Sequence, residues 1–372
     1  MMTELQDIFV EYGQAYREKH KLTVHVQKVM RAIEICRTAK LGAHEDVCDE
    51  CGYIKISYNS CRNRHCPKCQ SMAKEKWIYD RKFDVLNVKY FHVVFTIPEE
   101  LNIVGLQNEE EIYNILFKSV SETLQELCAD RKYLGAQIGF MAVLHTWGQN
   151  LMYHPHIHCI VPAGGLDKLG RWRNSKKKFF IPVKVLSRKF RGKFMDYIRN
   201  SKLEFYGESK ELENPQNFDE LVSKMYKKEW VTYCKPPFKN ANCVIEYLGR
   251  YTHRVAISNN RIVSSEEGKV SFKWRDYKDN NKWKVMVVEA EEFIRRFLLH
   301  VLPHGFMKIR HYGLLGNRNK SVKLKICKIL THTKMLIKEK LSIHQLLEKL
   351  LGKTFNLCPV CKKGHLIRTP SS

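Results

Sequence analysis

Residues 153–162 read YHPHIHCIVP, a strand-like run that carries His154, His156 and His158 just ahead of the turn-like AGG at 163–165. Successive side chains of a strand alternate between its two faces. His156 and His158 therefore project together, with Ile157 buried behind them. One histidine in such a place is ordinary packing, but two on one face beside apolar residues suggest a metal site. The preceding run, AVLHTW at 142–147, adds weight. If the two runs pair antiparallel across a hairpin centred near Asn150–Leu151, His145 lies opposite His156, and directly opposed residues share a face. Three imidazoles then meet at one point. Gln149 is the other candidate for third ligand, and His154 shares the face by parity. Imidazoles suit borderline divalent metals, and three protein ligands leave positions for a substrate oxygen.

Outward from this pair the chain alternates helical and strand patterns. Residues 3–40 place apolar side chains at helical spacing up to Gly42, and 44–70 form a Cys-rich, turn-rich knot followed by the polar amphipathic SMAKEKWIYDRKFDVL. YFHVVFTI at 90–97 reads as a buried strand ended by Pro98. Residues 108–130 and most of 184–230 read as helix, with a charged stretch near 207–214. ISNNRIVSSEEGKVSFKWRD and NKWKVMVVEA read as strands, EEFIRRFLLHVL as a helix, and the basic end from 319 as helical until CPVCKKGH.

The 372 residues suffice for one large or two to three modest cores. Lys and Arg number 64 against 39 acidic residues, a net charge of +25 spread along most of the chain. A polyanion partner follows, with nucleic acid first. The start, MMTELQDIFVEYGQAY, predicts no signal peptide, and no apolar run approaches the ~20 residues of a membrane span. With thirteen cysteines, a reducing cytoplasmic setting is expected, where clustered cysteines read as metal ligands before disulfides.

Cys48-x2-Cys51 and Cys66-x2-Cys69, about fifteen residues apart, match a tetrahedral Zn2+ site. Cys61, His65 and His44 are spare ligands that could replace a knuckle member or serve a second ion. CRNRHCPKCQ also presents Arg62, Arg64 and Lys68, a basic surface suited to the DNA backbone. Cys358-x2-Cys361, with His365 nearby, is either a half-site completed by distant residues or two unligated thiols.

VIEYLGRYTHRVA sets Tyr247 and Tyr251 at i and i+4, one helical turn apart. Amphipathic packing is the common fate of such a pair, yet Arg250, His253 and Arg254 crowd it with charge. A phenol of pKa ~10 is a poor nucleophile at neutral pH unless a cation or metal favours the phenolate. A metal that polarises a phosphate, together with a tyrosinate, cleaves a phosphodiester while staying joined to the DNA.

YNSCRNRHCPKCQ, LHTWGQNLMYHPHIHCIVPAGGL and YLGRYTHRVAISNNRI, in this order, resemble the transposases of the IS91 family, within the HUH endonucleases. The resemblance spans roughly residues 30–320, and GFMKIRHYGLLGN at 305–317 is also similar to a late segment of the family. It implies an α+β fold with a central antiparallel sheet and flanking helices, preceded by a helical segment and a small zinc-binding domain. The expected division is 1–86 (helices and zinc domain), 87–345 (nuclease domain) and 346–372 (basic tail with the last CxxC). The resemblance places the zinc ligands on Cys48, Cys51, Cys66 and Cys69, the HUH pair on His156 and His158 with Mg2+ or Mn2+, and the nucleophiles on Tyr247 and Tyr251. His145 as third ligand comes from the hairpin reading. Arg250 and Arg254, like Arg62, Arg64 and Lys68, are expected DNA contacts. The implied activity is nicking and rejoining of single-stranded DNA at element ends through a 5′-phosphotyrosine, supporting rolling-circle transposition. No Walker A sequence is present, so unwinding would fall to host replication and helicase machinery. The alternatives are a plasmid or phage replication initiator and a non-catalytic zinc DNA-binding protein.

Overall fold

The computed structural model describes residues 3–175, 181–235, 238, 243–244, 247, 249, 255–342, 345–346, 348–349, 352, 354 and 356–368. Helices α1 (Leu5–Lys19) and α2 (Val24–Glu34) open the chain. Strands β1 (Ala43–Cys48) and β2 (Ile54–Tyr58) and helix α3 (Pro67–Lys82) follow. Then come β3 (Tyr90–Thr96), α4 (Asn102–Gln107), α5 (Glu109–Ala129), β4 (Gly139–Trp147) and β5 (Tyr153–Pro162). A short pair, β6 (Gly164–Leu166) and β7 (Trp172–Asn174), precedes α6 (Val183–Arg199), α7 (Pro215–Lys227) and β8 (Thr232–Lys235). The last elements are β9 (Ile262–Glu266), β10 (Lys269–Asp276), β11 (Lys282–Glu289), α8 (Ala290–Leu298), β12 (Ile309–Gly313), α9 (Lys320–Leu330) and β13 (Leu366–Arg368).

The central sheet has five strands in the order β12-β4-β5-β3-β8, every neighbour antiparallel. This is the α+β architecture expected from the sequence. Aromatic and β-branched residues fill β3 and suit a pleated surface. Alternation then divides the faces. Phe91, Val93 and Phe95 of β3, Phe140, Ala142 and Leu144 of β4, and Ile157, Cys159 and Val161 of β5 join one core. Over them lie α5, through Leu116, Phe117 and Val120, and α6, through Phe190 and Phe194. Burying one such Leu or Phe contributes roughly 1.5–3 kcal/mol. Three glutamates in its first turn favour the α5 N-terminus, where the helix dipole is positive. The opposite face carries Tyr90, Met141, Val143 and Ile160, packed with Val244, Trp77 of α3 and Tyr247.

A second core joins both halves of the chain. Phe9 of α1 meets Phe297 of α8 with ring centroids 5.3 Å apart, and Val270 and Phe272 of β10 complete the cluster. The three-stranded sheet β11-β10-β9 belongs to this region. β1 is flanked by β2 and, from the far end of the chain, by β13.

One expectation is corrected here. The helix begun at 320 stops at Leu330, and residues 333–342 are irregular. Just past the 184–230 region read as mostly helical, the chain after α7 forms β8, an edge strand of the central sheet that pairs with β3.

Candidate active site

β4 and β5 pair with His145 directly opposite His156, as the hairpin reading requires. The turn closes through Gly148 N–H to Met152 O (2.9 Å), with Leu151 in left-handed backbone and fully buried. The register shifts between His145 and Trp147, a bulge that ends regular pairing beside the histidines. Ile157 is fully buried on the helix-covered face, so His145, His156 and His158 emerge together on the other. Each offers a ring nitrogen, and the three nitrogens lie within 4.8 Å of one another. His154 sits farther along the strand, its ring 5.2 Å from that of His156 and outside the set of three. Gln149 is not in the set either; its amide donates to the Tyr277 hydroxyl (3.0 Å).

A second contact fixes the tautomer of His156. His156 Nδ1 lies 2.7 Å from the carbonyl of His154 and so carries the proton, which leaves the Nε2 lone pair as the ligand atom. His158 Nδ1 lies 2.8 Å from His92 Nε2. His92 Nδ1 in turn lies 2.8 Å from the Tyr247 hydroxyl. His92 is 2% exposed, and burial, with Lys235 and His156 nearby, pushes its pKa down to about 3, so it is neutral. A chain of contacts thus runs from the histidine cluster through His92 to a phenol from a segment 89 residues beyond His158 (247 − 158 = 89).

Val244, Tyr247 and Gly249 have helical backbone. The segment rests on α3: a Cβ at Gly249 would overlap the Ile78 side chain, and Tyr247 and Trp77 pack against the same apolar cluster. Tyr251, Arg250 and Arg254 lie outside the described residues.

The cysteines require a correction. Cys66 and Cys69 gather with Cys36 and Cys61, whereas Cys48 and Cys51 gather with Cys358 and Cys361. The expected single set of Cys48, Cys51, Cys66 and Cys69 therefore does not form. β1 and β2 carry the first pair away from the second, whose Pro67 starts α3 and whose Cys69 lies in its first turn. In the first set the sulfur separations are 3.5 Å (Cys61–Cys69) and 3.7 Å (Cys36–Cys69 and Cys36–Cys66). A tetrahedron with Zn–S bonds of ~2.3 Å puts its sulfurs ~3.8 Å apart, so this donor set fits zinc. Hydrogen bonds from Cys61 and then Cys66 pull the Cys69 thiol down to about 2, so the set already favours a thiolate.

The expected basic surface is mostly spent inside the protein. Lys68 bonds to Glu4 (2.5 Å) and Gln6 (2.7 Å), and Arg64 donates to the Phe306 carbonyl. Arg62 is exposed.

Sequence reading missed His92 and Cys36. A lone His in an apolar strand gives no ligand signal, although its parity, opposite to Phe91 and Val93, put it on the histidine face. Cys36 sits 25 residues before Cys61 (61 − 36 = 25), outside any knuckle spacing. No helix among the described residues is long and apolar enough to cross a membrane.

Residues 139–322 match the family model described as a putative transposase, and residues 8–97 match the transposase zinc-binding domain. The class is thus a transposase that carries its own zinc-binding domain. The chain is 47% identical over 374 residues to the putative transposase y4qJ of Sinorhizobium fredii (strain NBRC 101917 / NGR234), covering 98% of this chain and 94% of that one. It is 26% identical over 301 residues to the transposase for insertion sequence element IS801 of Pseudomonas savastanoi pv. phaseolicola, covering 79% and 71%. Among solved structures, the conjugative relaxase TrwC in complex with mutant oriT DNA matches 31% of this chain and 46% of its own, at 16% identity and a TM-score of 0.25. The chain belongs to the IS91 family of transposases.

Proposed function

We propose that this transposase nicks and rejoins single-stranded DNA at insertion-sequence ends through a 5′-phosphotyrosine, supporting rolling-circle transposition. The observation that carries this reading is the contact chain His158–His92–Tyr247, each link 2.8 Å long. Tyr247 is the first nucleophile, and Tyr251 serves a later transfer.

His145, His156 and His158 would hold a divalent cation. Three imidazoles and no carboxylate favour Mn2+ over Mg2+, which prefers oxygen ligands. The cation would draw in a backbone phosphate and stabilise charge on its oxygens. The protein's own groups do the rest. With His158 Nε2 engaged as a ligand, its proton sits on Nδ1 and is donated to His92 Nε2. His92 then keeps its proton on Nδ1 and donates it to the Tyr247 oxygen. That holds the phenol oxygen as an acceptor, ready to lose its own proton to water and attack phosphorus, with the phosphorus–O3′ bond breaking and the 3′ oxygen leaving as a hydroxyl after it takes up a proton from water.

Cys36, Cys61, Cys66 and Cys69 would hold structural zinc, which fixes the start of α3 and hence the seat of Tyr247. For DNA contact, Arg62, Arg250 and Arg254 stay as proposed, and Arg64 and Lys68 act through position. A groove of about 750 Å³ lined by Trp77, Arg81, Phe306 and Arg310 offers aromatic faces and guanidinium groups to a single strand. Host helicase machinery would unwind the duplex in the cytoplasm.

Incubation with a single-stranded element end and Mn2+ should give a denaturation-resistant protein–DNA adduct, with Mg2+ needed at higher concentration. His156→Ala should abolish the adduct while salt-sensitive DNA binding persists. Equal adduct formation in EDTA would remove the metal from the account.

A further inference from the structure

We propose that Cys48, Cys51, Cys358 and Cys361 form a second zinc site that ties the two ends of the chain into one ribbon. Two of these ligands lie far outside the matched zinc-binding domain, residues 8–97. The four sulfurs lie within 4.8 Å of one another, with Cys48–Cys361 and Cys51–Cys358 both at 3.7 Å. That is the edge of a ZnS4 tetrahedron, ~3.8 Å, and far from the ~2.05 Å of a disulfide.

The backbone repeats one device on each side. Gly52 N–H donates to Cys48 O (3.1 Å), and Lys362 N–H donates to Cys358 O (3.0 Å). The residue after each second cysteine is left-handed, Gly52 at φ 69° and Lys362 at φ 56°. Two CxxC turns thus take the same shape and face each other. At Lys362 a side chain occupies backbone that glycine normally takes, a cost the ion would offset. Asp49 N–H donates to His365 O (3.1 Å), and His365 N–H returns a bond to Asp49 Oδ1 (2.6 Å). Gly364 is required: a Cβ there would lie 2.6 Å from Cys48 Sγ. β13 then pairs with β1, Cys48 opposite Leu366, and Leu366 covers Cys48 and Cys358.

The tie has a path. Beyond α9 the chain passes α3, with Lys338 paired to Asp80 (2.7 Å) and the Glu339 carbonyl near the Tyr79 hydroxyl (3.4 Å). The second zinc therefore closes the tail along the helix that seats Tyr247. The inference stands on thiol geometry alone and does not depend on the nuclease reading.

The test is the metal content of the purified full chain. Two zinc ions per chain are expected in the wild type and one in Cys358→Ser/Cys361→Ser. Adding Cys48→Ser to that variant should cost no further zinc, whereas adding Cys66→Ser should remove the one remaining ion. Gly364→Val keeps every thiol and should also fall to one ion. Cobalt substitution of the wild type needs no variant, and should give thiolate-to-metal absorption for two four-sulfur sites. One zinc in the wild type, two in Cys358→Ser/Cys361→Ser, or iron in place of the second zinc would overturn the proposal.

Discussion

His92 shows how one buried side chain links two functional groups. It touches His158 on one ring nitrogen and Tyr247 on the other, and burial keeps it neutral. On the proposed mechanism it is a positioning residue, since it would act through both neighbours. His92→Ala should lower the rate of adduct formation ~10–100-fold, the usual effect of losing a contact behind a metal ligand, with zinc content unchanged. His92→Asn, whose amide mimics Nδ1, should retain more activity than His92→Gln, whose amide mimics Nε2. Equal rates for these two would remove the Tyr247 contact from the account. His300 makes a separate, structural prediction. It is fully buried, with Nε2 on the Leu151 carbonyl (3.0 Å) and Nδ1 beside the Thr146 hydroxyl (3.2 Å), so it staples the β4–β5 turn. Burial lowers its pKa from 6.5 to about 4. Between these values the unfolded chain takes up a proton that the folded chain refuses. Stability is therefore intact above pH 6.5 and falls as the pH drops toward 4, by roughly 3 kcal/mol at most from this group. Urea midpoints at pH 7.5 and 4.5 should draw closer together in His300→Gln, and an unchanged gap would mean that His300 is not held neutral.

At the scale of elements, the β4–β5 hairpin was legible because strand parity and turn position need only local sequence. His145 opposite His156 follows from counting residues outward from Asn150–Leu151. The cysteine sets were not legible for the opposite reason. Cys48 and Cys51 find their partners about 310 residues away, and spacing rules see only neighbours in the chain. β13 is three residues long and has no pattern of its own to announce its pairing with β1. The seat of Tyr247 on α3 was equally hidden, although Gly249 between the two tyrosines marks it: the segment comes so close to Ile78 that a side chain there has no room. Gly249→Val should push the tyrosine away from His92 and cut adduct formation by at least ~10-fold, while zinc content stays at its wild-type level. Adding Ile78→Ala should restore part of the loss by making room. No recovery in the double variant would separate α3 from tyrosine placement.

The whole molecule is built by joining distant stretches. The first helices share a core with α8, the last strand completes the β1 sheet, and α3 links the cluster of Cys36, Cys61, Cys66 and Cys69 to the face that carries the histidines. The division into 1–86, 87–345 and 346–372 stays a proposal about chain order; the packing of the cores crosses it. The net charge of +25 would set the long-range attraction for a nucleic acid, and the few residues at the histidine face would set the chemistry. The central claim is that the Tyr247 oxygen and an imidazole-held cation act on one phosphate. The most direct measurement is mass spectrometry of the tryptic peptides of the adduct, because cleavage after Arg250 puts Tyr247 and Tyr251 on different peptides. The account predicts a nucleotide phosphate on the peptide of residues 240–250 after a single nicking turnover, absent in Tyr247→Phe. An adduct mapped to a residue other than these two tyrosines, or one that forms at the wild-type rate on Tyr251 in Tyr247→Phe, would contradict it.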